Sequence, residues 1–566
     1  MARPAGRCAG PVSGPANGPV NAPAAGTGRA IRTVSGLTVL SRCFGLARDL
    51  VTVRIFGDTA VGSAFAAAFA IPNLFRRLFG EGALSAAFLP AYARLLKHEP
   101  ETAHALASLV IGVLAAITGA IALAGGAGLL ALVFSLEPDA DRTLSLLLVV
   151  VMLPYMPLIC VAAILGGMLQ AHGRFAPWAA APIILNSCIL IAGVPFFFVE
   201  GADPGAWAYR IGAAVVVAGV VQAGWSVWML RGRAQWTTRV ARAKPEAAAM
   251  FRRMGPALIG LGTLQINSML DTLIAMWPNW VGPTVLGVRY PLDEASNAVL
   301  FYAQRLYQFP LGVFGIAVAT VIFPELARRA GDNAAFMRTL RHGVRLSLFI
   351  ALPASVGLAL VRTDLVHTVY TGLGRGFSED GVARAARVVL GYSVAVWSYS
   401  LMHVFTRAFY AAGDTRTPMF TAFASVALNL TLNLLLIWPM REAGLAWSTA
   451  ISSIFQLTLL ALLARRRLLG GMGLLDRETR ASVVRTVGMS IAMGLAVAAV
   501  VVLWPRLRIG DWLADASGLA ASVVVGAAVY AAAARRTPEM RWLLAGHDET
   551  PDGDTDDRHT PEQDGE

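Results

Sequence analysis

Apolar runs of about twenty residues recur along almost the whole of this chain, and a run of that length crosses a bilayer as a helix. Short segments rich in arginine or acid separate them. Inside a membrane the backbone finds no solvent partner, so each run must close its hydrogen bonds within itself. Composition agrees. Of 566 residues, 56% are hydrophobic and 14% charged, against about 25% charged in a soluble domain. A soluble bundle of this composition would lack the polar residues to cover its surface. The chain is therefore expected to be an all-α polytopic membrane protein.

Fourteen spans are expected, near 31–56, 62–94, 104–134, 142–170, 178–199, 206–230, 247–277, 294–327, 336–361, 381–411, 418–438, 443–464, 481–504 and 511–534. The first, second, seventh, eighth and tenth are the weaker ones because they carry polar residues. Weak hydropathy with helical periodicity points to helices that face a cavity on one side.

Loop charge supports the count. Loops after even-numbered spans are rich in arginine, including Arg94, Arg174, Arg231, Arg328, Arg416 and Arg465. Loops after odd-numbered spans carry acids such as Asp58, Asp139, Asp203, Asp293 and Glu379. Arginine excess marks the cytoplasmic side, which places both termini there. The net charge of +12 is almost wholly arginine, and the only lysines are Lys97 and Lys244. Charge held in loops fits anionic lipid and not nucleic acid.

The basic loop from Arg231 to Arg253 divides the spans six and six, with two more at the end. The expected organisation is a disordered tail over 1–28, an N-lobe over 29–232 and a C-lobe over 233–470. Spans 13 and 14 follow over 471–540, then an acidic tail over 541–566. Transporters are often built from such repeats, with the site between them.

Charges inside the apolar runs are the chemical signal, since they are costly there and are retained for a use. Arg42 and Asp49 are seven apart, on one helical face, with Arg48 adjacent. In the second span Pro72, Asn73, Arg76 and Arg77 precede Gly80, Glu81 and Gly82. Arg77 and Glu81 can pair at i,i+4, and the proline and glycines can break the helix. In the eighth span Arg305 is a lone cation. In the seventh, Gln265, Asn267 and Asp271 read as a polar stripe. Two readings stand at this point. Arg42, Arg48, Arg76 and Arg305 line a cavity for a phosphate-bearing anion, whose oxygens match the guanidinium fork. Alternatively, they snorkel or pair with Asp49 and Glu81. Arg54 and Arg77 lean to the second.

Other chemistry is not suggested. There is no phosphate-binding Gly-x-x-x-x-Gly-Lys-Ser/Thr loop, and no His/Cys/Asp cluster has metal-ligand spacing. Cys8, Cys43, Cys160 and Cys188 are scattered, and His367 and His403 are isolated. No catalytic residue, cofactor or metal is expected, and the chain is read as a transporter and not an enzyme.

The motifs resemble those of the MurJ/MviN family, lipid II flippases of the multidrug/oligosaccharidyl-lipid/polysaccharide exporter superfamily. The likeness runs through Ser41 to Asp49, Arg54 to Gly57, and Pro72 to Ala83 with Phe88 and Pro90. It continues through Met254 to Ala257, Tyr302 to Pro310 with Gly312 and Gly315, and Phe409 to Pro418. Asn429 and Asn433, ahead of Gly444 to Ala446, complete it.

The resemblance implies fourteen helices, with two six-helix lobes in a V and a groove from the last two helices. It implies a cationic cavity for the pyrophosphate of undecaprenyl-pyrophosphate-linked muropeptide, worked by alternating access in the cytoplasmic (inner) membrane. By motif, the substrate-binding residues are Arg42, Arg48, Arg76 and Arg305, with Asp49, Asn73 and Glu81 in support. Asp271 is a possible cation site. The partners implied are lipid II and membrane lipids, with the division or elongation machinery as a further class, and the chain is expected to be a monomer.

The chain departs from the family pattern at Ser63, where many relatives have Asp, and at Ala70, where some have Lys. Gln304 and Gln308 stand where some have acids. The rival readings are an exporter of drugs or another polyprenyl-linked glycan, and a non-transporting scaffold for cell-wall assembly.

Overall fold

The computed structural model describes residues 25–80, 83–136, 138–312, 316–372, 376–468, 473–504 and 511–545. The first half of the chain forms α1 (Ala25–Phe56), α2 (Ala60–Phe75), α3 (Ala83–His98), α4 (Pro100–Leu136), α5 (Ala140–Met152), α6 (Tyr155–Ala171), α7 (Ala176–Gly193) and α8 (Pro204–Met229). Then come α9 (Lys244–Ala275), α10 (Trp277–Trp280), α11 (Ser296–Pro310), α12 (Ile316–Arg328), α13 (Asn333–Tyr370), α14 (Glu379–Ser393) and α15 (Val396–Ala411). The last are α16 (Arg416–Met440), α17 (Glu442–Arg467), α18 (Arg477–Leu503), α19 (Asp511–Ala534) and α20 (Pro538–Ala545). A hairpin, β1 (Thr284–Val285) and β2 (Val288–Arg289), is antiparallel and pairs Thr284 with Arg289. Its turn holds Leu286 and Gly287 at positive φ, as a two-residue hairpin with a right-handed strand twist requires.

Among the described residues, ten helical segments are long and apolar enough to cross a membrane. The chain is a multi-pass membrane protein. Four of the expected spans fall short of that standard, and they coincide with α1, α2–α3, α9 and α11–α12. All four were weak in the sequence for the same reason: they carry polar side chains. The tenth expected span, also weak, does qualify as α14–α15.

Many loop acids prove to be helix caps. Asp139 accepts from Arg142 N, Asp203 from Gly205 N and Ala206 N, Asp332 from Ala334 N and Ala335 N, and Asp476 from Thr479 N. Each meets amide groups that the first turn leaves without partners.

The apolar interior is divided. One core draws on α2 to α8, with Phe65, Phe88, Leu106, Met156 and Trp207 among its members, and takes in Met250 from the start of α9. A second joins α11, α13, α14 and α17 around Tyr302, Tyr370 and Tyr392, and Val53 of α1 packs into it. A third gathers α12, α13, α15 and α17 around Phe336 and Phe405. Met493 and Val497 of α18 pack on Val361 of α13.

Helices approach closely where small residues allow it. A side chain at Gly391 would meet the Ala446 Cβ at 2.8 Å, and one at Gly444 the Leu436 carbonyl at 2.4 Å. Without a hydrophobic drive between helices in lipid, such contacts and interhelical hydrogen bonds hold the bundle together. Thr421, Ser425, Asn429 and Asn433 recur every four residues along α16 and are buried. From that row Ser425 donates to the Ser452 carbonyl and Asn429 to Thr449 Oγ1 of α17.

Candidate functional site

The charged segment of α1 lies beside a cleft whose lining includes Phe69 and Arg305. Arg48 donates from Nε and Nη2 to Asp49 Oδ1, at 3.0 and 2.6 Å, and from Nη1 to Asn186 Oδ1 of α7 at 3.0 Å. Its guanidinium lies 5.5 Å from the centre of the Phe69 ring. From the second half of the chain, Arg305 Nε stands 4.0 Å from Asp49 Oδ2 and its guanidinium lies 4.6 Å from the centre of the Phe301 ring. One carboxylate thus faces two arginines from opposite halves of the chain. Arg48 is held by three hydrogen bonds, whereas Arg305 Nε is buried without any.

Two broken helices carry the remaining arginines. Pro72 lies inside α2, where it removes one backbone donor and crowds the preceding turn. The helix continues as a π turn over Arg76–Gly80, a wider turn of the kind often found at functional sites. Asn73 Oδ1 accepts from Arg76 Nε at 2.7 Å. This turn packs on α6, so Arg76 lies within electrostatic reach of Tyr155 and Cys160. Arg77 instead enters the cleft and donates to Gln265 Oε1 of α9 at 3.3 Å. The same device recurs in the second half, where Pro310 ends α11 and the chain is π-helical at 311–312. Arg42 is exposed, and its guanidinium lies against Gly312, within 3.7 Å of where a side chain there would begin. Arg54 lies beside Gly372. Glu81 falls outside the described residues.

The cleft measures about 700 Å³ including its mouth. Phe69, Ala70, Asn73 and Arg77 line it from α2 and the π turn. Gln265, Ser268 and Thr272 line it from α9, and Asn297, Gln304, Arg305 and Gln308 from α11. Ala70 therefore leaves open the part of the wall where a lysine would add charge.

A seam joins the two halves near the end of α1. The backbone N–H and the hydroxyl of Ser378 both donate to Asp58, at 2.8 and 2.5 Å. Ser63 is fully buried; its Oγ accepts from Ala298 N at 2.9 Å and its carbonyl from Asn297 Nδ2 at 2.9 Å. Gly57, at φ +59°, passes so near Gly376 that a Cβ would lie 2.8 Å from its carbonyl oxygen. Ser63 is a contact between α2 and α11 here, which explains a small hydroxyl at this position.

With this arrangement in view, residues 52–514 match the model of the family described as lipid II flippase MurJ. The chain belongs to the MurJ family. That family consists of lipid flippases, which are transporters and not catalysts. Probable lipid II flippases MurJ of Rhizobium meliloti and Vibrio cholerae are 32% and 30% identical to it. They align over 74% and 85% of this chain and 77% and 89% of their own. A solved lipid II flippase MurJ in an inward closed conformation has the same fold, with a TM-score of 0.70 and 20% identity, over 89% of this chain and 98% of that one. An inward-facing multidrug transporter of the MATE family shares it more distantly, with a TM-score of 0.61 and 12% identity, over 78% of this chain and 98% of that one.

Within this MurJ fold the expected polar stripe on α9 is split. Six residues at 100° each put Gln265 and Asp271 about 240° apart, so Gln265 faces the cleft and Asp271 turns to α16. There Asp271 is buried and accepts from Asn433 Nδ2 at 2.6 Å, and the same amide donates to Asn429 Oδ1 at 3.0 Å. The side-chain oxygens of Asn433 and Asn267 are buried without partners. Among the described residues no group of three His, Cys, Asp or Glu could hold a metal ion.

Sequence reasoning missed two features. Asn186 completes the Arg48 site; a lone amide in the apolar α7 is the signal that marks it. The other is an ion cluster in the second half, in which Arg384 and Glu442 are buried, Asp293 is half-buried and Arg441 is exposed. Arg384 of α14 donates to Asp293 at 2.6 Å and to Glu442, and Arg441 donates to Asp293 at 2.6 Å. Burial raises the Asp293 pKa, but the hydrogen bond and charge of Arg384, with Ser296 and Arg441, outweigh it and hold the carboxyl below its usual value. An arginine four residues after Asp380, at the start of an apolar span, was the available signal.

Proposed function

We propose that this chain flips lipid II, the undecaprenyl-pyrophosphate-linked muropeptide, from the inner to the outer leaflet of the cytoplasmic membrane. The observation that carries the reading is the Asp49 carboxylate set between Arg48 and Arg305, which come from opposite halves of the chain, beside the cleft that Arg305 lines. A single acid leaves the pair with net positive charge, and a pyrophosphate supplies the missing anionic oxygens in bidentate geometry. Arg77 and Arg42 extend the positive surface, and Arg76 supports it through the π turn. The prenyl tail stays in lipid.

Alternating access is the mechanism proposed. The Asp58–Ser378 and Ser63–Ala298 contacts close the outer side while the cleft takes the headgroup from the cytoplasmic side. Parting of that seam releases it outside. In this reading both termini are cytoplasmic, the chain is arranged as fourteen spans with two lobes in a V, and it works as a monomer. A moving elementary charge feels about 2.3 kcal/mol per 100 mV, enough to bias an equilibrium of a few kcal/mol. Asp271 with the oxygens of Asn267 and Asn433 suits a hard monovalent cation, and we propose it as the coupling site.

Translocation of lipid II in proteoliposomes tests the reading. Wild-type protein should expose the headgroup in the opposite leaflet, and Arg48→Ala and Arg305→Ala should each abolish this while inserting normally. Full transport by both variants would refute the arginine site. Absence of lipid II transport by wild type, with transport of another polyprenyl glycan or a drug, would favour the other exporters. No transport of any cargo would favour a scaffold.

A further inference from the structure

The α9 and α11 walls of the cleft, which face α2 and the π turn, have a different chemistry from the arginines. On α9, Gln265, Ser268 and Thr272 follow a three-then-four spacing, and on α11, Asn297, Gln304 and Gln308 follow seven-then-four. Both spacings keep side chains on one helical face. Two helices therefore present amides and hydroxyls to one cavity, with Arg305 as the single cation among them. Polar groups in a membrane span are costly unless they are bonded or used.

Part of this wall is fixed from behind. Gln304 Nε2 donates to the Tyr392 hydroxyl at 2.9 Å, and Tyr392 stacks on Tyr307 with ring centres 4.4 Å apart. Asn297 is held by the Ser63 carbonyl. A primary amide has two donors and an acceptor, so an amide anchored by one bond keeps capacity for a ligand at a set orientation. Ser268 lines the same face, and Phe69 and Phe301 supply flat apolar surface beside it. Planar amides paired with aromatic faces suit a neutral, hydroxyl-rich ligand, whose hydroxyl and acetamido groups bond in pairs and whose C–H faces stack.

We propose that this α9–α11 face binds the sugar next to the pyrophosphate and selects cargo by its glycan. The proposal rests on the flippase reading above: the arginines hold the charged part and the amide face reads the neutral part. A pocket built to hydrogen-bond a group discriminates strongly against a ligand lacking it, because its own polar groups are then left unpaired.

The test uses the full chain in lipid nanodiscs with two probes. One is undecaprenyl pyrophosphate, and the other is the same lipid bearing the disaccharide-pentapeptide. Wild type should bind the glycan-bearing lipid more tightly. Gln304→Ala with Gln308→Ala should weaken that binding about tenfold, on the scale of one or two hydrogen bonds, and leave the sugarless lipid unchanged. Ser268→Ala with Gln308→Ala, which spares the Tyr392 bond, should act in the same direction. Arg48→Ala should weaken both probes. Equal loss for both probes in the amide variants, no loss for either, or no preference in wild type overturns the glycan face while the arginine site stands. Failure of wild type to bind either probe overturns the flippase reading, and the glycan face with it.

Discussion

Arg48 and Arg305 share one carboxylate but should fail in different ways when removed. Arg48 donates twice to Asp49 and once to Asn186, and its side chain is 13% exposed. Replacing it with glutamine leaves Asp49, 14% exposed, without its close partner. Breaking a buried pair in this way costs about 3–5 kcal/mol. Arg305 stands 4.0 Å from Asp49, where the Coulomb attraction is worth about 4 kcal/mol at an effective dielectric constant of 20. Against that stands a desolvation penalty of several kcal/mol for the ion, plus about 1–3 kcal/mol for the buried Nε without a partner. The two sides nearly cancel, so Arg305→Gln should change stability by no more than about 1 kcal/mol. A charge-assisted hydrogen bond to phosphate contributes about 1.5–3 kcal/mol, so the same substitution should weaken pyrophosphate-lipid binding about 10- to 150-fold. Thermal unfolding in detergent and lipid binding in nanodiscs, measured on both variants, separate the two roles. If Arg305→Gln unfolds at as low a temperature as Arg48→Gln, Arg305 is a structural partner of Asp49 and the argument for a waiting anion ligand fails.

Three further outcomes follow from the same geometry. A methyl at Gly381 would sit 2.1 Å from Asp58 Oδ2, so Gly381→Ala should part the seam and raise thiol labelling of a cysteine placed at Ser378; unchanged labelling counts against the seam. Asp293 has a lowered pKa, so its stabilising contribution is complete above the ordinary value of 3.8 and is lost as pH falls through the lower folded value. Melting temperature should drop in acid below about pH 4, and Asp293→Asn should flatten that part of the profile. Sodium titration should raise the melting temperature of wild type but not of Asp271→Asn; equal shifts in both remove Asp271 from any cation site.

Run length and hydropathy made ten spans legible in the sequence. The four further spans expected from loop charge and motif coincide with α1, α2–α3, α9 and α11–α12, helices whose polar residues dilute their hydropathy. Arg48 and Asp49 could be placed together since they are neighbours on one helix. Arg305 is grouped with Arg48 as a lone cation in an apolar span and by motif, but its place beside Asp49 depends on how the two halves of the chain meet. The division of the α9 stripe was calculable from helical phase, yet which face met the cleft needed the neighbours. Arg77 and Glu81 are spaced for a local pair, and Glu81 lies outside the described residues; that Arg77 also reaches Gln265 in the cleft depends on the packing of α9 and is not given by that spacing. Ser63 reads in the sequence as a missing charge; in the fold its hydroxyl accepts from the Ala298 N–H and its carbonyl from the Asn297 amide.

The seam has a kinetic consequence. At Gly57 and Gly376 the halves touch backbone to backbone, and Val53 and Asp58 are the side chains that reach from the first half onto the second beside them. Surfaces that interdigitate must rotate side chains through eclipsed positions before they part. Surfaces meeting through glycines need only lose hydrogen bonds, each contributing about 1 kcal/mol net. In the alternating-access cycle proposed above, parting of the glycine contact would then be a shallow step, and the slow event would be the headgroup leaving its arginines.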